Sequence, residues 1–523
     1  MGPFDRFTDA RKLSDSTVLD ADVCIIGTGA AGITIARELA GGPLKVVMLE
    51  TGGLNYDAAI AELGEIEIIG RDYPGGASRL RYLGGSTNHW GGQCAPLDTL
   101  DFEDRPWLPH SEWPITYQDL HPYYVRAQGV IELGEYDYNV DRVLAGSDFR
   151  QMGFTGNAVR TSLSRYHRQR FGLRYASDLN AASNIDVYLY ATVMSFHRGE
   201  ASDAASHVTV STLAGNTFTV NATRFVLATG GIENPRLLLD SNGEQEAGFG
   251  NSNGLVGRFF MEHIGYANGI VVPKHFDPGY DIYFDEQRYT DETGEDLRIR
   301  THITLSPEAT KVLRIPKFRA ELRRYSELRF AMKHLRDVNF DFGDVWSVMQ
   351  EPGAIWDYLV NGEKPEDVGA FILGNYCEQV PNPDSRIVLS SITNALGQNI
   401  AAMEWRLTPL DSETIRIAHR VIAHEIGRSG FGRFRYDMTT DEDGILDGAY
   451  GGYHHMGTTR MSEDPKTGVV DANCRMHEVP NVYVAGSSVF PSAGWPNPTL
   501  TIVALATRLA DHLKQEVDRD GAR

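Results

Sequence analysis

The chain has 523 residues, of which 42% are hydrophobic and 23% charged, the composition of a protein that folds throughout and not of a disordered one. With 70 acidic against 49 basic side chains its formal net charge is −21, which argues against nucleic acid as a partner and against association with anionic membranes. The length allows about three average domains or one two-lobed enzyme, and Cys24, Cys94, Cys377 and Cys474 are too widely spaced for a zinc ribbon or a disulfide framework, so no metal is expected.

The first twenty residues, Met1 to Asp20, are charged and polar. They lack the apolar core of a secretory leader, and no later stretch approaches the ~20 apolar residues of a spanning helix, so a cytoplasmic location is expected. Asp22 to Ile26 is a short apolar strand, followed by the turn Gly27-Thr28-Gly29-Ala30-Ala31-Gly32 and by Ile33, Ala36, Leu39 and Ala40 at helical spacing. Gly41-Gly42-Pro43 ends that helix, and Lys45 to Leu49 reads as a second buried strand with Glu50 at its end. This is the order of a dinucleotide-binding β-α-β unit. Gly27 permits the tight turn, Gly29 lets the backbone approach a pyrophosphate, and Gly32 lets helix and strand pack closely. The phosphates would rest on the helix N-terminus, and Glu50, 21 residues after Gly29, is placed to accept hydrogen bonds from a ribose diol.

Gly75 to Gly92 is glycine-rich and loop-like, and Thr116-Tyr117-Gln118-Asp119 reads as a capping box opening a helix through Tyr123 and Tyr124. His207–Val210 and Thr217–Ala222 suit a hairpin about Ala214-Gly215-Asn216. The hairpin leads into the strand Phe225 to Ala228, then Gly230-Gly231 and the helix-like Pro235 to Leu239. Val482 to Gly486 repeats the strand-turn pattern near the C-terminus. Such returns to a first domain favour FAD over a nicotinamide cofactor. The least legible stretch, Val272 to Asp367, is assigned to a substrate-facing lobe. Within it Arg314 to Arg336 is basic (Arg319, Arg323, Arg324, Arg329, Lys333, Arg336), with Phe318, Leu322, Phe330 and Leu335 interspersed. It reads as a solvated helix face, with a subunit or membrane-surface contact as the alternative. Ser385–Leu389 and Ala402–Leu407 alternate as strands do. A helix is expected from Ser412 to Ile426, with Ile415, Ala418, Ile422 and Ile426 on one side and a stop at Gly427.

Five further stretches stand in a fixed order after the β-α-β unit: Gly84 to Gly92, Gly254 to His263, Pro381 to Arg386, His454 to Met461 and Asn497 to Thr501. On these the chain resembles the glucose-methanol-choline oxidoreductases, especially the bacterial branch related to pyranose oxidases and glycoside 3-oxidases. The resemblance implies an α/β fold of two lobes. A Rossmann-like FAD lobe would comprise 15–110, 185–265 and 440–523, and a substrate lobe built on an antiparallel sheet with helices would comprise 111–184 and 266–439.

Taken alone, His454 reads as a hydrogen-bonded structural histidine. The resemblance instead makes His454 and Asn497 a catalytic pair. A neutral imidazole suits removal of a hydroxyl proton near pH 7, and an amide can donate to the forming alkoxide. Asn497 precedes Pro498, which favours an extended backbone there. His455 points away from its neighbour in any regular backbone and is read as structural or flavin-adjacent, with a weaker claim to the substrate. Gly84, Gly85, Asn88, Gly91 and Gly92 would bring backbone against the flavin ring, and Trp90 would pack. His89 falls where pyranose and choline oxidases carry a histidine covalently attached to FAD, but Asn88 before it and Gly91-Gly92 after it depart from their pattern. Covalent and non-covalent contact both stay open.

Further cofactor contacts are expected from Val193, Ala228, Gly230, Gly486, Ser487, Asn497, Pro498 and Thr499. Gln379, beside Glu378, is a candidate for sugar hydroxyl recognition or a surface strand residue. The implied reaction oxidises a sugar, glycoside or polyol hydroxyl to a carbonyl, with dioxygen or a quinone- or cytochrome-type acceptor taking the electrons. A non-sugar alcohol, an aminosugar and a non-catalytic flavin subunit are the alternatives.

Overall fold

The apolar run before the glycine turn ends the strand Val18–Ile26 in the computed structural model, which describes residues 5–200, 202–275, 277–290, 294, 296–324 and 370–521. The helix Ala30–Leu39 and the strand Val46–Glu50 follow. Val23, Cys24 and Ile25 are fully buried, since the strand has parallel neighbours on both edges and a parallel sheet is covered on both faces. Each fully buried Val or Ile side chain contributes about 1.5–3 kcal/mol relative to an exposed one.

The eight-stranded sheet built on this unit runs Phe7–Asp9, Ile185–Leu189, Val46–Glu50, Val18–Ile26, Thr217–Leu227, Ala205–Ser211 and Thr192–Arg198, with Val482–Val484 pairing with Thr217–Leu227. The expected hairpin is present, with Gly215 at φ +98° in its turn. The late strand Val482–Val484 joins in parallel, which brings the C-terminal turn beside the first one. The long helix Thr499–Gly521 then packs on Ala30–Leu39 and on Tyr117–Ile131. Tyr117–Ile131 opens with the expected capping box: Asp119 N–H donates to Thr116 Oγ1, and Thr116 N–H to the Asp119 carboxylate.

The second layer is a nine-stranded antiparallel sheet. Its order is Gly432–Arg435, His263–Pro273, Phe371–Glu378, Phe318–Arg324, Asp296–Leu305, Val159–Tyr166 and Gln93–Cys94, with two short strands at its sides. One face carries Ile264, Tyr266, Ile303, Phe318, Ala320, Leu322, Leu373 and Cys377, in a core shared with Ile415, Ala418, Ile422 and Ile426. Those four lie on the helix Pro409–Arg428, which begins a turn earlier than Ser412 because Thr408 and Asp411 form a capping box and Pro409 suits the first turn. Gly427 lies inside its last turn.

Two expectations give way here. The basic run is not a helix face in its described part: residues Phe318–Arg324 form a central strand, with Phe318, Ala320 and Leu322 on the core side and Arg319, Glu321 and Arg323 on the other. Arg329, Phe330, Lys333, Leu335 and Arg336 lie outside the described residues. The stretch 111–184 also does not go as one piece to the antiparallel layer. Tyr124, Ala127, Phe171, Tyr175 and Leu179 are buried in the core of the parallel sheet, whereas Val143, Leu144, Met152 and the strand Val159–Tyr166 belong to the antiparallel layer. The helix Phe171–Ala181 sits there because its apolar side meets Ala30–Leu39 and Ile185–Leu189. Among the described residues, no helix is long and apolar enough to cross a membrane.

Candidate active site

Where the parallel strands end, the turns that follow Ile26, Leu227 and Val484 face one another around a cavity of about 540 Å³. It is lined by Gly27, Gly29, Glu50, Val193, Ala228 and Gly230, by Gly486, Ser487, Pro498 and Thr499, and by His454, His455 and Asn497. The glycines divide by what a side chain would meet. A Cβ on Gly32 would lie 2.0 Å from Gly27 O, so this residue serves helix-to-strand packing and does not line the cavity. A Cβ on Gly29, Gly230 or Gly486 would meet no protein atom within 4 Å. These three therefore border open space, and Gly29 does so at the start of helix Ala30–Leu39, where free N–H groups favour phosphate.

Glu50 is 6% exposed and accepts from Thr28 N–H, Thr28 Oγ1 and Gly52 N–H. Arg79, Arg81 and Arg236 all pair with the buried Glu233 at 2.6–2.8 Å along the same wall. Arg236 also pairs with Asp240 at 3.3 Å, so three cations face two carboxylates and one positive charge is in excess. The set fits a dinucleotide with a pyrophosphate: an open glycine cradle, a helix N-terminus, an acid for a diol and spare positive charge.

The loop Gly84 to Gly92 closes one side. Gly84 takes φ +97°, and a Cβ there would lie 2.6 Å from Gly172 N; its N–H donates to Thr28 O at 3.0 Å, which pins the loop to the first turn. Gly85, His89, Trp90, Gly91 and Gly92 line the cavity, whereas Gly84 and Asn88 do not. The Asn88 amide is spent inside the loop on Leu83 O and Gly85 O, so its expected cofactor contact gives way to a structural role. Trp90 donates to Gln169 O and sits edge-on to Phe171.

The second wall comes from the antiparallel layer. His454 Nδ1 lies 2.8 Å from His263 Nδ1, and His263 Nε2 lies 2.9 Å from Gly494 O. Burial first, then His263, Arg319 and His455, hold the His454 imidazole well below the usual histidine value, so it is neutral at pH 7. Glu262 is fully buried and accepts from Tyr73 Oη and from the N–H groups of His263, Gly452 and His454. Burial pushes its pKa up to about 7. His455 Nε2 is 2.7 Å from Tyr73 Oη, and burial followed by Arg79 pushes its pKa down to about 3.

Asn497 stands just before helix Thr499–Gly521, and its Oδ1 accepts from Arg319 Nη1 at 3.3 Å. Arg319 is 2% exposed and lies over the rings of Tyr376 and Trp495. Gln379 is elsewhere: it is fully buried, accepts from Glu262 N–H and Trp405 Nε1, and donates to Arg406 O. Its amide is neither on the surface nor on the cavity wall, which corrects both readings of it.

Sequence reasoning passed over Arg319, His263, Glu262 and Tyr73 as functional residues. For Arg319 a signal existed, since Phe318-Arg319-Ala320-Glu321-Leu322-Arg323 alternates with period two. For Tyr73, no local pattern marks a partner on Glu262, 189 residues away.

Residues 22–246 match the family model described as FAD dependent oxidoreductase, and residues 381–506 match the GMC oxidoreductase C-terminal model. Paromamine 6'-oxidase of Streptomyces fradiae is 26% identical over 94% of this chain and 90% of its own length. The 2-methyl-1,2-propanediol dehydrogenase of Mycolicibacterium austroafricanum is likewise 26% identical, over 94% and 95%. Among solved structures, pyridoxine 4-oxidase from Mesorbium loti aligns with a TM-score of 0.57 at 18% identity, covering 94% of this chain and 99% of that one. That last likeness is one of fold.

Proposed function

Since the chain belongs to the GMC oxidoreductases, FAD-dependent enzymes acting on CH–OH groups, we propose that it oxidises a hydroxyl of a sugar, glycoside or polyol to a carbonyl, with His454 taking the hydroxyl proton. The observation that carries this reading is the meeting of a neutral, partly buried imidazole and the Asn497 amide on the wall of the cavity that holds the glycine cradle.

Gly29, Gly230 and Gly486 would receive the pyrophosphate, Glu50 the ribose, and the loop from Gly85 to Gly92 the ring system, with His89 in reach of it. When bound there, FAD supplies the acceptor for the hydride leaving the carbinol carbon. The protein's part is to take the other hydrogen as a proton, which raises the electron density that expels hydride. A positioned base of this kind is worth roughly 10²- to 10⁴-fold. An N–H donor from Asn497 would hold the oxygen as it gains negative charge, a contact worth roughly 10²- to 10³-fold. Glu262 holds the backbone of the His454 segment through Gly452 N–H and His454 N–H, so the imidazole is presented from a fixed loop.

The substrate class is supported by the likeness to paromamine 6'-oxidase, to 2-methyl-1,2-propanediol dehydrogenase and to the C-glycoside 3-oxidase of Arthrobacter globiformis, 32% identical over 28% of this chain. The test is anaerobic bleaching of the flavin by a panel of monosaccharides, glycosides, aminosugars, short diols and aryl alcohols. Fast bleaching by a sugar, glycoside or polyol is expected. Bleaching by aryl alcohols alone would overturn the substrate class, and full-rate bleaching of the His454→Ala protein would overturn the base.

A further inference from the structure

A neutral imidazole can carry its proton on either nitrogen, and a primary amide can present either its oxygen or its NH2. A base and a donor are obtained only if both choices are made correctly. Each choice here is set by a neighbour that can play one role. The Gly494 carbonyl can only accept, so His263, 2.9 Å away, must carry its proton on Nε2. Its Nδ1 is then a bare lone pair, and His454 Nδ1, 2.8 Å away, must supply the hydrogen between them. The His454 proton is thereby placed on Nδ1, and Nε2 is left as the acceptor. Arg319 can only donate, so the Asn497 atom facing Nη1 must be Oδ1, which leaves Nδ2 as the donor.

The structure assigns His263 and Arg319 as positioning residues that fix the polarity of the catalytic pair, making His454 Nε2 the proton acceptor and Asn497 Nδ2 the hydrogen-bond donor. This rests on the proposed role of His454 as base. The line begins deeper in the protein. Gly494 N–H donates to Glu378 Oε1 at 3.1 Å, and Glu378 is held by the fully buried Arg105 at 2.8 and 2.9 Å, so the carbonyl that starts the sequence of bonds is itself fixed. A cationic His263 would reverse the direction by donating from both nitrogens. Burial, followed by Arg319, pushes its pKa down to about 4, which keeps it neutral and the direction single. The partner that orients a metal-ligating histidine typically matters by about 10- to 100-fold in activity, and an effect of that size is expected for the same orienting role here.

The experiment uses the FAD-loaded enzyme labelled with ¹⁵N-histidine, in which the His454 signals are identified by their loss in His454→Ala. Imidazole NMR should show the Nδ1–H tautomer of His454 in the wild type. In His263→Leu the tautomer should shift toward Nε2–H, and anaerobic flavin reduction should slow about 10- to 100-fold in its limiting rate with little change in substrate half-saturation. His263→Asn, which keeps an acceptor near the Nδ1 position, should recover Nδ1–H and most of the rate. Arg319→Lys, still donor-only, should stay within about tenfold of wild type, and Arg319→Met should fall below it in limiting rate.

A wild-type Nε2–H tautomer would overturn the assignment without any variant being made. So would His263→Leu retaining both Nδ1–H and the rate, or Arg319→Met matching wild type. If His454→Ala kept its rate while the wild-type signal still read Nδ1–H, the base reading alone would fail.

Discussion

Replacing Gly29 and Gly32 separately by alanine should divide cofactor binding from folding, because the two glycines meet opposite surroundings. Gly29 has φ −75° and ψ −169°, a conformation open to any residue, and a Cβ there meets no protein atom within 4 Å. Gly29→Ala should therefore leave the cofactor-free protein as stable as wild type or about 0.4–1 kcal/mol more so, through the smaller entropy of its unfolded chain. The same methyl would stand where a pyrophosphate approaches. A steric cost of about 1–3 kcal/mol converts to roughly 5- to 150-fold weaker FAD binding.

Gly32→Ala should behave in the reverse way. Its Cβ would lie 2.0 Å from Gly27 O, a backbone atom that can yield only if the helix moves off the strand. That costs about 1–3 kcal/mol, or roughly 1 °C per kcal/mol for a chain of this size. Thermal unfolding of the cofactor-free proteins and titration of FAD against each, followed by flavin fluorescence, read the two effects independently. Wild-type FAD affinity in Gly29→Ala would refute the cradle. An undiminished melting temperature in Gly32→Ala would refute the packing argument.

His454→Ala should retain FAD while its anaerobic reduction slows roughly 10²- to 10⁴-fold, measured by stopped-flow absorbance. Because burial and the nearby His263 and Arg319 lower the His454 pKa, the imidazole stays deprotonated below the ordinary histidine range. The wild-type reduction rate should thus be flat from pH 8 to pH 6.5 and fall only in more acid solution; a fall centred near 6.5 would contradict the environment described. Glu262 has a folded pKa raised from 4.5 to about 7, so the folded state binds the extra proton in that window and stability falls as pH rises through it. The shift corresponds to on the order of 3 kcal/mol. Glu262→Gln should remove this fall from the pH dependence of the melting temperature, and identical slopes would count against it. Arg105→Met should cost about 3–5 kcal/mol by stranding the buried Glu378 carboxylate; denaturant unfolding measures it, and a loss below about 1 kcal/mol would show that the pair is replaceable.

The β-α-β unit was legible because its signals are local. Strand, turn, helix, strand and acid lie between Val18 and Glu50, and each is written in the spacing of apolar residues and glycines that must pack against near neighbours. The Thr116 capping box and the hairpin before Phe225 were legible for the same reason. The basic run shows where local reading misleads: its charges suggest a solvated helix face, whereas the alternation from Phe318 to Arg323 is that of a strand with one face in the core.

What the amino-acid order determined by itself was which segments become strands and helices and where a dinucleotide turn stands. Only the tertiary structure decided which buried polar groups meet: His263 with His454 across 191 positions, Arg319 with Asn497 across 178, and Arg105 with Glu378 across 273. Periodicity records which face of an element is buried. The partner a buried polar side chain finds there depends on sheet order and register, and these are fixed by packing between segments far apart in the chain.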